Sequence, residues 1–229
     1  MTDNFFFSPL IEQAAELAAE WHAGTYRKGR WRHPSFLLED GDAPKIPVMA
    51  HVTTVAITVQ RAGWDEVTVA AAFLHDILED PNQLGEIMTF EALEARVGHA
   101  VAHRVREVSE AKKDANGKKQ MWKARKVGYI EGLKVHSIEA SAISLADKIH
   151  NLWSLNESLE KGINIFSSTK KRRGLSAGPA PQRWFYNAVY KATLHHQDRR
   201  IQVMQARFKQ ELERFEMLTE PMVDTVESS

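Results

Sequence analysis

The segment AAAFLHDILED, residues 70–80, closes the most apolar predicted helix of this chain with a group of titratable side chains. The pattern predicts a helix from Val67 to Leu78, with Asp65 as its N-cap and Pro81 as its stop. The titratable side chains at its end are His75, Asp76, Glu79 and Asp80. Burying such groups costs free energy unless a partner satisfies them, so the segment predicts a partner at the end of this helix.

Helical periodicity continues on both sides of this segment. Ser8 is the expected N-cap of the first helix and Gly24 its stop. No pair of alternating strands flanks a tight turn, so the predicted fold class is all-α, a single helical bundle. Further helices are expected at about Pro47–Ala62, Thr89–Val97, Gln120–Leu133, Ser137–Glu160 and Trp184–Met217, the last with a polar break at His195–Arg200.

Two stretches rich in charge, glycine and proline interrupt the helical pattern. Residues 30–45 and 162–183 are expected to be long loops, and the second contains a basic run at 170–173. The length of 229 residues favours one domain. Its expected parts are a core at 8–200, a helical extension at 201–217 and a tail at 218–229, within a single domain at 1–229.

The composition excludes several classes of function. Lys and Arg total 30 and Asp and Glu total 30, so no net charge attracts nucleic acid or an anionic membrane, and nucleic acid is not an expected partner. The chain has 0 cysteines, which excludes disulfides, thiolate nucleophiles and cysteine-based metal sites. No apolar run reaches the length of a membrane span, and no signal peptide is recognised, so a cytoplasmic location is expected.

Four residues that could bind a metal, two histidines and two aspartates, fall within apolar helical settings. His51 lies on the apolar stripe of its helix, Asp147 lies inside the apolar Ser137–Glu160 pattern, and His75 with Asp76 ends the central helix. Taken one at a time, each residue fits an ordinary satisfied polar group, such as a core histidine or an ion-paired aspartate. Together they favour a mononuclear site with mixed nitrogen and oxygen ligands, which suits manganese, iron or zinc.

Several strings of this sequence, in this order, resemble the HD-domain phosphohydrolases. Within them, the chain is most similar to the hydrolase domain of RelA/SpoT-type enzymes and to the small alarmone hydrolases. The matching strings are HAGTYRKGR (22–30), IPVMAHV (46–52), AAAFLHDILED (70–80) and ISLADKIHNL (143–152), with further similarity at MWKARKVGYIEGL (121–133) and RWFYNAV (183–189).

The resemblance implies a role for particular side chains. One divalent ion per chain, Mn²⁺, would be held by His51, His75, Asp76 and Asp147. Glu79 and Asp80 would orient and deprotonate the attacking water and manage the proton of the leaving group. Arg27 and Lys28 would contact the nucleotide, and Asn151 would hydrogen-bond ribose or the bound water network.

The activity implied by this resemblance is hydrolysis of the 3′-pyrophosphate of (p)ppGpp or (p)ppApp. Two alternatives stay open at this point: another HD nucleotidase or phosphodiesterase, and a non-catalytic module that binds a nucleotide or RNA through the basic run. The expected partner is a small-molecule nucleotide, with no membrane partner. Oligomeric state and the choice between guanine and adenine are not predicted.

Overall fold

The computed structural model describes residues 6–31, 45–112, 116–168 and 174–222, with the side chains of residues 28–31 and 45 left out. Within these ranges the chain forms nine helices and one two-stranded sheet, which confirms the predicted helical fold class. The elements are α1 (Pro9–Trp21), β1 (Tyr26–Trp31), β2 (Lys45–Pro47), α2 (Val48–Arg61), α3 (Glu66–Phe73), α4 (Phe90–Val97), α5 (His99–Val108), α6 (Trp122–Leu133), α7 (Ile138–Glu160), α8 (Pro179–Thr193) and α9 (Arg199–Thr219).

Short polar side chains fix the starts of four helices. The side chains of Ser8, Asp65, Thr89 and Ser137 each accept a hydrogen bond from the backbone N–H three residues later. Each therefore satisfies one of the unpaired donors at a helix start. These starts agree with the predicted ones, because capping is a local property of the sequence.

The centre of the fold is α7, which packs against α2, α3, α5, α9 and β1. Neighbours on several sides require an apolar surface nearly all the way around the helix. Its middle turns accordingly bury Ala142, Ile143, Leu145 and Ala146 completely. A carboxylate in this part of the helix cannot reach bulk solvent freely, and that determines the setting of Asp147.

The predicted helix from Val67 to Leu78 is too long, because α3 ends at Phe73. Beyond that residue the chain turns more tightly: the N–H of Leu74 donates to Ala71 at 3.1 Å and that of Ile77 donates to Leu74 at 2.9 Å. These bonds span three residues rather than four, as in a 3₁₀ turn. The tighter turn brings the adjacent side chains of His75 and Asp76 to the same cluster, which a regular α-helix would not do.

The predicted loop at 30–45 is partly wrong, because its two ends pair as antiparallel strands. Tyr26 lies opposite Pro47, and Trp31 lies opposite Lys45. The strands are short and pair across an interval instead of a tight turn, so neither alternation nor a turn motif indicated them. Residues 32–44 lie outside the described part of the chain.

The C-terminal pattern forms two helices, as the polar break predicted. The first begins at Pro179, earlier than expected from the predicted loop at 162–183, and Asp198 caps the second by accepting from the N–H of Arg200 at 2.7 Å. The second helix, α9, buries Phe208 and Phe215 against α7 and α8. Across the described residues, none of the helices is both long and apolar enough to cross a membrane. The basic run at 170–173 and the end of the tail, 223–229, lie outside the described residues.

Candidate metal centre and cleft

Three parts of the fold bring four predicted ligands into one cluster. His51 comes from α2, His75 and Asp76 come from the tight turn after α3, and Asp147 comes from α7. One donor atom each of His51, His75 and Asp147 lies within 4.8 Å of the others. The Nε2 atom of His51 is 3.2 Å from Asp147 Oδ1 and 3.6 Å from Asp76 Oδ2, and the Nε2 atom of His75 is 3.4 Å from Asp76 Oδ1.

The Nε2 atoms of both histidines are buried and have no hydrogen-bond partner with acceptable geometry. The other ring nitrogen of each histidine does have a partner: His75 Nδ1 lies 2.8 Å from the carbonyl oxygen of Ala72. Unsatisfied buried polar atoms are costly, and here two of them face two carboxylates. A divalent cation would satisfy all four groups, and this ligand set suits a hard or borderline metal such as Mn²⁺, Fe²⁺ or Zn²⁺.

The pKa shifts in the cluster follow from burial and mutual charge. Burial raises the pKa of the Asp147 carboxyl, but the Lys148 ammonium and the two histidines outweigh it and hold that pKa well below its usual range. Burial lowers the pKa of His75, yet the charge of Asp76 and the contact with Asp147 raise it to about 9. Burial and the nearby charge of Arg27 lower the pKa of His51 well below its usual value. A bound cation would take the place of the proton on His75.

The acidic pair Glu79 and Asp80 lies beside this cluster. Glu79 Oε1 accepts from the backbone N–H of Glu110 at 2.8 Å, and Asp80 Oδ1 accepts from Lys112 Nζ at 2.8 Å. Burial and the charge of Asp76 raise the pKa of Glu79 to about 7. A carboxylate with a pKa near neutrality can both take up and give back a proton at physiological pH.

Eight of the nine residues predicted for the site line one cavity of about 320 Å³. They are Arg27, His51, His75, Asp76, Glu79, Asp80, Asp147 and Asn151. The ninth, Lys28, has a side chain outside the described part of the chain. A second cavity of about 220 Å³ adjoins the first, and Arg27, Asp76, Asp80 and Asn151 line both. Tyr26, Leu155, Gln182 and Tyr186 line only the second.

Arg27 and Asn151 form a polar link across the wall that the two cavities share. The Arg27 guanidinium donates to Asn151 Oδ1, and Asn151 Nδ2 donates to Asp147 Oδ1 at 2.6 Å. The link joins β1 to α7 and connects a cationic group that lines both cavities with a candidate metal ligand.

The sequence did not single out several residues of the cleft. Lys126 and Tyr129 line the larger cavity, three residues apart on α6. His22 is buried near Asp76 and Asp80. Burial is the largest influence and lowers the pKa of His22, although the charges of the two aspartates act in the opposite direction. Helical spacing could have placed Lys126 with Tyr129, but only tertiary packing brings α6 to this cavity.

The HD domain family profile matches residues 35–171 of this chain. A protein of Synechocystis sp. named as a probable guanosine-3′,5′-bis(diphosphate) 3′-pyrophosphohydrolase is 30% identical over 54% of this chain and 16% of its own length. The guanosine-3′,5′-bis(diphosphate) 3′-pyrophosphohydrolase MESH1 of Drosophila melanogaster is 34% identical over 53% of this chain and 63% of its own length. The chain thus spans less than two thirds of these relatives.

Two solved structures share the fold. One is described as a metazoan ortholog of SpoT that hydrolyses ppGpp and plays a role in starvation responses; it has a TM-score of 0.61 and 23% identity and covers 91% of this chain and 97% of its own. The other, from Listeria monocytogenes EGD-e, has a TM-score of 0.55 and 25% identity and covers 76% of this chain and 96% of its own. The helical arrangement around the cluster is therefore shared with these proteins.

Proposed function

This chain belongs to the HD domain family, and from that premise we propose that it is a metal-dependent phosphohydrolase that removes the 3′-pyrophosphate of (p)ppGpp or (p)ppApp. The observation that carries the proposal is the pair of buried, unsatisfied histidine nitrogens facing two carboxylates beside a cleft. The names of the two relatives support the substrate class. The products would be pyrophosphate and the 5′-phosphorylated nucleoside.

The proposed metal is one Mn²⁺ per chain, held by His51, His75, Asp76 and Asp147. The nitrogen and oxygen donor set supports such a hard or borderline cation, and the cysteine count of 0 is consistent with it. When bound, the ion supplies a Lewis acid that makes nearby water more acidic and offsets phosphoryl charge in the transition state. Lys148 pairs with Asp147 and thereby keeps that carboxylate ionised.

We assign the proton transfers to Glu79. In the reaction, a water oxygen bonds to the phosphorus attached to the 3′ oxygen, and the bond from that phosphorus to the 3′ oxygen breaks. Glu79, a carboxylate that lines the same cavity as the candidate ligands, takes a proton from the attacking water. The leaving 3′ oxygen takes up a proton as the bond breaks, so the carboxyl returns to its starting state after donating one.

The reactants would be oriented by five further side chains, those of Asp80, Lys112, Arg27, Lys28 and Asn151. The Lys112 ammonium contacts both the backbone oxygen of Glu79, at 2.5 Å, and Asp80 Oδ1, at 2.8 Å, so it holds the acidic pair in place. Arg27 would fork onto phosphate or stack on the base, Lys28 would add a second positive charge, and Asn151 would bind the ribose.

The two adjoining cavities support a substrate with two distinct parts. The larger holds the candidate metal ligands, Glu79 and Lys126, which suits a polyphosphate. The smaller has Tyr26, Val48, Leu155 and Tyr186 in its wall, which suits the flat, largely apolar faces of a base and ribose. We propose the whole chain, 1–229, as a single hydrolase domain with its core at 8–200. A nucleotide substrate supports a cytoplasmic location.

The proposal is tested with a nucleotide panel. Guanine and adenine 3′,5′-bis(diphosphates) are assayed beside simple 5′-nucleotides and cyclic dinucleotides, each with Mn²⁺ and with a chelator. We expect Mn²⁺-dependent release of pyrophosphate from the 3′-diphosphorylated members alone. Turnover of another nucleotide class would favour a different HD nucleotidase, and no turnover of any member would favour a binding module.

Two variants test the acidic pair within the same assay. Glu79→Gln keeps the acceptor for the Glu110 N–H but cannot take up a proton, whereas Asp80→Asn removes the charge that pairs with Lys112. We expect both to lower turnover and Glu79→Gln to remove its pH dependence near neutrality. Unchanged turnover in both would refute the assignment of the proton transfers.

A further inference from the structure

The two histidines of the candidate metal cluster contact different kinds of groups through their Nδ1 atoms. His75 Nδ1 contacts a backbone carbonyl oxygen, that of Ala72, at 2.8 Å. His51 Nδ1 instead contacts the Nδ1 atom of a third histidine, His150, at 2.7 Å. A carbonyl oxygen can only accept a hydrogen bond, whereas an imidazole nitrogen either donates or accepts according to its tautomer.

The buried surroundings of His51 indicate which ring nitrogen carries its proton. A neutral imidazole has one N–H, and a buried N–H requires an acceptor. The Nε2 atom of His51 faces the carboxylates of Asp147, at 3.2 Å, and Asp76, at 3.6 Å, while Nδ1 has His150 within hydrogen-bond distance. A cation among these carboxylates requires the lone pair of Nε2, so binding it requires the His51 proton on Nδ1.

We propose that His150 is a positioning residue for the metal: it accepts the Nδ1–H of His51 and so fixes the tautomer and orientation in which Nε2 is a metal donor. The inference rests on the proposed metal site. For His150 to accept at Nδ1, its own ring proton must be on Nε2. A ligand histidine held by an acceptor at its other nitrogen is a common means of tuning metal affinity.

The fold holds His150 for this role through α7. His150 follows Asp147 by three residues, so the two lie on neighbouring positions of one helix face. Its ring packs against that of Trp153, with centroids 5.8 Å apart, and against that of His51, with centroids 4.7 Å apart. One helix thus supplies both a ligand to the site and the group that orients a ligand from α2.

A matched pair of substitutions tests the hydrogen bond apart from the packing. Asn and Leu have nearly the same shape, and the amide oxygen of Asn can take the place of His Nδ1 as an acceptor. His150→Leu should weaken Mn²⁺ binding about ten- to hundredfold, and His150→Asn should remain close to the unchanged protein. Binding is measured by titration calorimetry, after circular dichroism has verified that both variants are folded.

A second measurement reads the tautomer directly, without metal or substrate. Long-range ¹H–¹⁵N spectra of the metal-free protein should show a larger share of the His51 proton on Nδ1 in the unchanged chain and in His150→Asn than in His150→Leu. In His150→Leu the signal should move towards the other tautomer. Equal affinity in all three proteins, equal weakening in both variants, or an unchanged tautomer in His150→Leu would overturn the proposal. None of these readouts uses turnover, so failure of the nucleotide assay would be a separate result.

Discussion

Two carboxylates, Asp147 on α7 and Glu211 on the adjoining α9, are both buried, but their surroundings differ. Glu211 on α9 has a residue exposure of 3%; its side chain accepts from Asn156 Nδ2 at 2.9 Å and pairs with Arg207 and Arg214. Asp147 has an exposure of 6% and pairs with Lys148, but its neighbours His51 and His75 each keep a buried nitrogen without a partner. In the first cluster two arginines neutralise the carboxylate, and the atom left without a partner is a neutral amide oxygen, Asn156 Oδ1. In the second cluster two histidine nitrogens that face carboxylates are left without a partner, and a cation would satisfy them.

This difference separates residues that stabilise the fold from residues that we propose to serve the reaction. Arg214 also binds Glu157 and Glu160, so the Glu211 cluster ties α9 to the C-terminal half of α7. The candidate metal cluster leaves two buried histidine nitrogens without partners, which costs stability and is typical of functional sites. Substitutions in the two clusters should therefore affect different measurements.

The largest effect is expected from Asp147→Asn. The change keeps the size of the side chain but removes a charged donor from the site. Turnover should fall by about 10⁴-fold, equivalent to ~5 kcal/mol of transition-state stabilisation. Mn²⁺ at about one hundred times its dissociation constant should raise the unfolding free energy of the unchanged protein by about 2.7 kcal/mol and that of the variant far less. An equal rise in both proteins would show that Asp147 is not a ligand.

Glu79→Gln should lower activity and raise stability at the same time. Turnover should fall by about 10²- to 10³-fold, because a general base is lost. Burial and the charge of Asp76 raise the pKa of Glu79 from 4.5 to about 7, so folding favours its protonated form. This contribution to the unfolding free energy is complete below the pKa of the unfolded state, 4.5. It is lost as the pH rises through the pKa of the folded state, about 7.

The stability of the two metal-free proteins should therefore diverge with pH. Gln carries no charge, so the unfolding free energy of the variant does not depend on this titration. Relative to the unchanged protein, it should rise by up to about 3 kcal/mol between about pH 4.5 and 7 and stay higher above pH 7. Urea unfolding at pH 5 and pH 8 measures the difference. An advantage that is larger at pH 5 would contradict the sign.

Glu211→Gln is the counterpart of Asp147→Asn in the structural cluster. It should cost about 1–2 kcal/mol of unfolding free energy, because hydrogen bonds to charged arginines are lost from a buried position. Turnover of the folded variant and its affinity for Mn²⁺ should not change. A fall in turnover without a fall in stability would mean that the two clusters are not separate.

The smallest effect is expected at the exposed pair of Arg96 and Glu20, whose closest atoms lie 2.8 Å apart. Both side chains are more than half exposed, so water and salt screen the pair. Arg96→Ala should change the unfolding free energy by less than about 0.5 kcal/mol, which thermal unfolding can test. A loss as large as that of Glu211→Gln would show that this exposed ion pair contributes as much stability as the buried Glu211 cluster. Burial and the number of partners would then not explain the difference between them.

Local signals in the sequence predicted most of the helices and the starts of those that have a side-chain N-cap. N-caps such as Ser137 and apolar stripes such as that of α2 depend on neighbouring residues alone. The residues that converge in the candidate metal cluster were also recognisable, because polar residues such as Asp147 stand out in an otherwise apolar helix. The structure brings eight of the nine predicted site residues to one cavity.

What the sequence did not indicate depends on tertiary contacts. α3 ends at Phe73, where tighter turns begin, although the apolar pattern of the sequence continues to Leu78. The pairing of β1 with β2 joins residues separated by a long interval, and the contact of His150 with His51 joins residues 99 positions apart. Periodicity and capping contain no information about such distant pairs.

The pairing of β1 with β2 divides this region into a constant frame and a replaceable part. The strands hold both ends of the interval 32–44, next to Arg27 on one side and the start of α2 on the other. Lengthening a segment whose ends are already joined costs little entropy. Evolution, or a protein engineer, could therefore exchange this interval for a longer or shorter one while the proposed metal ligands stay where they are.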